Sequence, residues 1–311
     1  MLFRENLFKF LLTDFKGEVA ALSAAFLWAV SSTIYGRLGR QIPPLELNLL
    51  KGAIAITLLI FTIFWRGEFL PSMNVVSFWL LLLSGVLGIG IGDTAFFAAL
   101  NCLGARRALL METLAPPITA VGALIFLQEQ LSFTAWCGIL LTVLGVAWVV
   151  TERVPNASVR SINLTRGISF GLIAAVALAT GGVLSRAALA NTNISPLWAA
   201  LLRLSAAVLT LLPWAWFRSK REAGQNFSQI NFSLQVIGTI VLAAFAGTYL
   251  GIWLQQTAIK FTAAGIALTL TNTSPIFVLP IALLLGEKVS IRAIAGVLIA
   301  ISGIAVLFYL R

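Results

Sequence analysis

The chain has 311 residues, of which 59% are apolar and only 10% charged, with a mean hydropathy of +0.98 and a net charge of +10. Soluble domains are nearer half apolar and about a quarter charged, so this composition excludes a disordered chain, a coiled coil and a water-soluble enzyme, and points to a chain dissolved in lipid. The 21 Lys and Arg outnumber 11 acids, but most of them flank apolar runs, where anionic headgroups attract them; membrane lipid, not nucleic acid, is the expected partner.

In chain order, residues 1–16 come first. Glu5, Lys9, Asp14 and Lys16 interrupt them too often for a secretory signal. Phe3, Leu7, Phe10 and Leu11 recur at helical spacing, which fits a short helix on the membrane surface or a frayed tail. Ten apolar runs follow, at 17–38, 44–65, 75–99, 104–127, 132–151, 167–189, 195–217, 234–258, 263–285 and 290–310. Each approaches the roughly 20 residues that cross a bilayer as helix. Turn signals bound them: Pro43-Pro44, Pro71, Pro155, Pro196 and the polar stretch 219–231. The runs are continuous rather than alternating, which excludes a barrel. An all-α membrane protein of ten transmembrane helices is expected.

The runs fall into two copies of one unit. Pro44 and Lys51 match Pro196 and Arg203; Gly88 and Gly92 match Gly247 and Gly251; Pro116 matches Pro275. Glu129, Ser132, Gly138 and Gly145 match Glu287, Ser290, Gly296 and Gly303, all at offsets of 152 to 159. Residues 17–152 and 167–310 are the two repeats, with 1–16 as a tail and 153–166 as a linker. Five helices per repeat is an odd number, so the second repeat enters the membrane from the opposite side. Inverted repeats of this kind place a shared site near the midplane and expose it to each side in turn.

Small residues and prolines punctuate the runs. Gly88 with Gly92, and Gly247 with Gly251, are glycines four apart on the third and eighth runs, where they let helix backbones approach. Gly138 with Gly145, and Gly296 with Gly303, mark a packing face on the fifth and tenth. Pro116 with Pro117, Pro275 and Pro280 lie within the fourth and ninth, where each removes a backbone hydrogen bond and favours a kink, and so a hinge. Glu129 and Glu287 precede Ser132 and Ser290 and are expected to cap the fifth and tenth helices.

Three charges share one depth. Lys51 lies seven residues inside the second run, about 10 Å deep at about 1.5 Å per residue. Asp93 and Glu112 lie similarly far from the same membrane side. Each alone costs about 3 kcal/mol on insertion scales, so one cation between two acids is the cheaper arrangement, and Asp93 or Glu112 is suited to carry a proton. Arg203, the mate of Lys51, has no intramembrane acid in its own repeat; its neutral neighbours include Tyr249, Gln256 and Asn272. Arg203 suits a substrate carboxylate or phosphate, or else backbone carbonyls and Asn272. Mixed polar and aromatic faces complete the candidate substrate site: Trp28, Ser32 and Tyr35 on the first run, Asn48 beside Lys51, Asp93 and Phe97 on the third, and Tyr249, Trp253 and Gln256 on the eighth. Trp79, Trp136, Trp148, Trp214 and Trp216 suit the membrane interface. There is no His, and the only cysteines are Cys102 and Cys137, so no metal, no cofactor and no thiol catalysis is expected.

The doubled pattern resembles the EamA type of the drug/metabolite transporter superfamily. It runs from Ala99-Leu100 through Pro116, Glu129 and Ser132 to Gly145, and again from Ala258-Ile259 through Pro275 and Glu287 to Gly303. The resemblance implies a ten-helix exporter or exchanger of amino acids or other small metabolites in the plasma membrane, with both termini in the cytoplasm. Ala115 and Ser274 stand where that family often has Glu, and the acid here is Glu112, one turn earlier. Basic residues number seven on the side of the termini and twelve on the other, which by the positive-inside rule favours the reverse orientation.

Four readings follow. The first is a secondary transporter exporting a small amphipathic solute, coupled to protons, with a homodimer as an allowed assembly. The second is an exchanger of sugar phosphates or nucleotide sugars held by Lys51 and Arg203. A lipid-modifying enzyme would need a polar cluster at headgroup level, which the loops lack. A membrane protein without a transport role is the fourth. No nucleotide-binding loop is present for direct use of ATP.

Overall fold

The structure, a computed structural model, describes residues 15–38, 42, 44–68, 73–103, 105–151, 164–221, 234–284 and 291–309. The tail 1–14, most of the linker 153–166, and Glu287 and Ser290 lie outside the described residues.

A backbone in lipid has no water to satisfy its N–H and C=O groups, so each long apolar run becomes helix. Among the described residues there are ten helical rods and no strand. They are α1 (Lys16–Leu38), α2 (Pro44–Trp65), α3 (Val75–Gly85, Val86–Ile91, Gly92–Leu103), α4 (Ala105–Glu112, Ala115–Phe126) and α5 (Phe133–Val150). The second repeat supplies α6 (Leu164–Leu189), α7 (Pro196–Arg221), α8 (Leu234–Ala243, Ala244–Leu250, Gly251–Phe261), α9 (Ala264–Thr271, Ser274–Leu284) and α10 (Ile291–Tyr309). Local chemistry sets several starts. The Asn74 side chain accepts from Ser77 N–H at 2.6 Å, Ser132 Oγ accepts from Ala135 N–H at 3.2 Å, and Pro44 and Pro196 open their helices without wasting a donor.

Two features differ from ten plain helices, and both recur at matched positions. The middle pieces of α3 (Val86–Ile91) and α8 (Ala244–Leu250) are π-helical. Each adds a residue to the turn just where the paired glycines fall, so these glycines do more than let helices touch. α4 and α9 are broken rather than kinked, at Thr113-Leu114 and Asn272-Thr273. Pro116 and Pro275 sit in the first turn of the following piece, where the missing N–H costs nothing.

The glycines decide which rods meet. A Cβ on Gly247 would strike Ser31, and one on Gly251 would strike the Trp28 indole, so α8 packs on α1. The mirror pair is α3 on α6, with Gly88 against Gly181. α5 and α10 cross antiparallel, Gly138 facing Gly303 and Gly145 facing Gly296 and Ala300. Gly85 is pressed on the backbone of Arg203, which joins α3 to α7. The interior is accordingly built of small residues: α1 buries Ala20, Ala21, Ala24, Ala25 and Ala29. The large apolar groups face outward, among them Phe64, Trp65, Trp79, Phe126, Trp148, Trp214 and Trp216, because lipid tails solvate them as well as a core would. Trp136 departs from the interfacial expectation and packs against the central cluster around Ile139. Gly238 of α8 has no atom within 4 Å of a Cβ built on it. Gly238→Ala is therefore expected to raise thermal stability slightly, by up to about 1 kcal/mol, through helix propensity alone; a melting curve in detergent checks it.

Candidate transport site

The charged cluster forms where the two repeats meet. Lys51 Nζ of α2 lies 4.0 Å from Asp93 Oδ2 of α3. Arg203 of α7 lies within electrostatic range of Asp93 from the other repeat, and Glu112, at the end of the first piece of α4, lies within range of Asp93 as well. To the expected cation and two acids the structure adds a second cation, Arg203 of the other repeat. Both repeat mates, Lys51 and Arg203, act on Asp93, and Asp93 in turn acts on Glu112. Arg203 has no intramembrane acid in its own repeat, as expected, and the acid that acts on it is Asp93 of the other. α3 and α7 touch through Gly85, which brings the two charges within that range. Gly88 clears room for the guanidinium, since a Cβ there would lie 3.2 Å from Arg203 Nη2.

Arg203 continues into a polar chain. Its Nη1 donates to Ser185 Oγ of α6 at 3.4 Å, and Ser185 Oγ donates to Gln256 Oε1 of α8. Arg203 Nε and Gln256 Nε2 find no hydrogen-bond partner among the described residues. Ser185 carries no motif and was not legible as a site residue. Tyr35 joins the cluster too: Lys51 Nζ sits 5.6 Å from its ring centre, and its hydroxyl is 3.2 Å from Thr248 Oγ1 in the π-helical piece of α8. The site is unevenly closed. The Lys51 and Asp93 side chains keep 20% and 38% of their area accessible, whereas Arg203 and Gln256 are 2% and 0% exposed.

Several other expected lining residues also make contacts within the protein. The Trp28 indole N–H donates to Gly247 O at 2.7 Å, which satisfies a carbonyl in the π-helical piece of α8. Tyr249 shares a hydrogen bond of 2.7 Å with Thr62 Oγ1 and packs among Leu59, Ile63 and Leu197. Trp253 stacks under the Arg66 guanidinium at 5.9 Å, near the end of α2. Asn48 is buried one turn before Lys51. Phe97 lies one turn beyond Asp93 on α3; its side chain is outside the described residues. Asn272 sits at the break of α9 and shares a small cavity with Thr113, Pro116, Thr142 and Thr269, so the breaks of α4 and α9 face each other.

Glu129 does not cap α5; Ser132 does that unaided. Glu129 Oε2 accepts from Ala264 N–H at 3.0 Å, at the start of α9, and Oε1 accepts from Arg186 Nε of α6. The loop 127–132 bends back over the α8–α9 turn, so a carboxylate read as a local cap reaches the other repeat.

Ten spanning helices in two inverted repeats, meeting at charges in the interior, define a membrane transporter. Comparisons agree. The model of the EamA-like transporter family matches residues 15–151 and again 165–309, and the chain belongs to that family. It is similar to the uncharacterized transporter YyaM of Bacillus subtilis (strain 168), 25% identical over 256 residues, covering 81% of this chain and 80% of that one. It is also similar to protein LicB of Haemophilus influenzae, 24% identical over 239 residues, covering 74% and 77%. A protein of known crystal structure shares the fold at a TM-score of 0.77 and 16% identity, over 96% of this chain and 98% of that one. The chain is thus a multi-pass plasma-membrane transporter and not an enzyme. Eight of its rods are long and apolar enough to span by length and composition alone.

Proposed function

We propose that the chain is a secondary active transporter that exports a small amphipathic metabolite, such as an amino acid, in exchange for protons. The observation that carries this reading is the Lys51–Asp93 pair of one repeat, within electrostatic range of Arg203 of the other repeat and of Glu112. Two cations and two acids leave no excess positive charge for a phosphorylated solute, which weighs against sugar-phosphate exchange. A solute with an acidic and a basic end finds both partners, and the Tyr35 ring beside Lys51 offers an apolar surface. Glu112 and Asp93 repel when both are ionised, so a proton shared between them is the natural coupling device. The broken helices α4 and α9 and the π-helical pieces of α3 and α8 occur in matched pairs, as rocking of inverted repeats about a midplane site requires. The termini face the cytoplasm in this reading, and two chains can pair through their lipid-facing surfaces.

The test is to express the chain in a bacterium and profile the medium against an empty-vector control. A metabolite enriched several-fold outside, and lost with Glu112→Gln, is the expected result. An unchanged medium, with the protein folded in the membrane, would overturn export of any solute that host makes.

A further inference from the structure

Four charges that the transport site does not use, Lys16, Glu129, Arg186 and Lys260, gather at the α8–α9 turn on the side of the termini. Arg186, near the end of α6, donates through Nε to Glu129 Oε1 and through Nη1 to the carbonyls of Ile259 at 2.9 Å and Lys260 at 2.6 Å. Glu129 in turn accepts from Ala264 N–H across the turn. Lys260 Nζ donates to Ile194 O in the α6–α7 connection at 2.7 Å. From α1, Lys16 Nζ lies 4.1 Å from the centre of the Phe261 ring, and a Cβ on Gly17 would overlap Thr262. The α4–α5 connection, the end of α6, the start of α1 and the α8–α9 turn are therefore tied together, and the Glu129–Arg186 pair joins the first repeat to the second.

This knot coincides with the uneven closure of the site. Lys51 and Asp93, nearer the opposite membrane side, stay partly accessible, while Arg203 and Gln256, nearer the side of the termini, are sealed. We infer that Glu129 and Arg186 form an inter-repeat latch that holds the transport site shut on the side of the termini and must part for the site to open there. The inference rests on the transporter reading above, but its first test needs no substrate. A residue serving only to cap α8 would satisfy the Ile259 and Lys260 carbonyls without recruiting a carboxylate from the other repeat. Each half of the pair is only partly buried, at 17% side-chain exposure, so the pair can be broken and remade without stranding a charge in lipid.

The experiment starts from a chain carrying Cys102→Ser and Cys137→Ser, with Ser185→Cys as a reporter next to the latch. Membrane-impermeant maleimide is applied from each side, sidedness being assigned from protease access to a C-terminal tag. In the parent, the reporter should react slowly from the side of the termini. With Arg186→Ala or Glu129→Gln it should react at least about tenfold faster from that side, the shift that corresponds to about 1.4 kcal/mol of lost preference for the sealed state. Reaction from the opposite side should slow. Arg186→Lys, which keeps the charge but not the fork of donors, should restore part of the seal. Unchanged rates from both sides, or equal acceleration from both, would overturn the latch. As a second arm, Glu129→Cys with Arg186→Cys is joined by a cleavable bis-thiol reagent in the same background without the reporter. Joining should stop transport and cleavage should restore it; undiminished transport when joined overturns the proposal. A latch seen by labelling in a chain that moves no solute would remove the export reading and leave the latch standing.

Discussion

Asp93→Asn is expected to lower transport about a hundredfold, equivalent to about 2.7 kcal/mol, and to lower the melting temperature as well. Asp93 is the acid shared by Lys51 and Arg203. Removing its charge takes from both cations the acid that acts on them, and Arg203 is almost wholly buried. Breaking a buried ion pair costs about 3–5 kcal/mol; Arg203 and Asp93 act on each other without a direct ion pair, so a smaller loss is expected. The Lys51–Asp93 contact is partly accessible and screened, and contributes little. Uptake or efflux in vesicles and thermal unfolding in detergent measure the two effects. The discriminating variant adds Arg203→Met to Asp93→Asn. It should recover much of the stability, because no buried cation is left stranded, and none of the transport, because the site has lost both groups. Full stability in Asp93→Asn alone would show that Arg203 is compensated elsewhere.

Gly145→Leu is expected to have the largest effect on folding itself. A Cβ on Gly145 would lie 2.7 Å from Ala300 Cα, on the backbone of α10, where no side-chain rotation relieves it. α5 and α10 are the last helices of their repeats and cross through Gly138, Gly145, Gly296 and Gly303. A leucine there forces the pair apart and forfeits its van der Waals contacts, the main attraction available between helices in lipid. Overpacking costs about 1–3 kcal/mol where a core can adjust, and more is expected here because both surfaces are backbone. Size-exclusion profiles should show loss of the monodisperse protein, while Gly238→Ala under the same conditions keeps it. A monodisperse Gly145→Leu protein of parental melting temperature would show that α5 and α10 separate at no cost.

The helix plan was legible because lipid imposes it. A run of about 20 apolar residues has one stable backbone conformation in a bilayer, so the ten runs and the ten rods agree closely at most ends. The inverted arrangement followed from matched residues and from an odd number of helices per repeat. Lys51 and Asp93 were placed at one level by counting residues along their helices, and they do meet. Other expectations failed where a contact depends on how rods pack. Arg203 comes within electrostatic range of Asp93 because Gly85 lets α3 lie against α7, and no spacing within one repeat reports how close a group of the other will come. Trp28 and Tyr249 have the residue types of a binding pocket, yet their polar atoms are taken by Gly247 and Thr62. Glu129 stands beside a serine that caps α5, and the sequence cannot show that its carboxylate turns to α9 and Arg186 instead.

Hydropathy and repetition, which act along the chain, were enough to determine an all-helical membrane protein with two opposed halves and charges buried between them. Which charges pair, where α3 and α8 widen into π-helical turns, and which side of the site is sealed were decided by tertiary structure alone. The physical reason is the range of the forces. Lipid solvation acts on each run independently, whereas ion pairs and close glycine contacts exist only once helices distant in sequence have been brought within a few ångströms of each other.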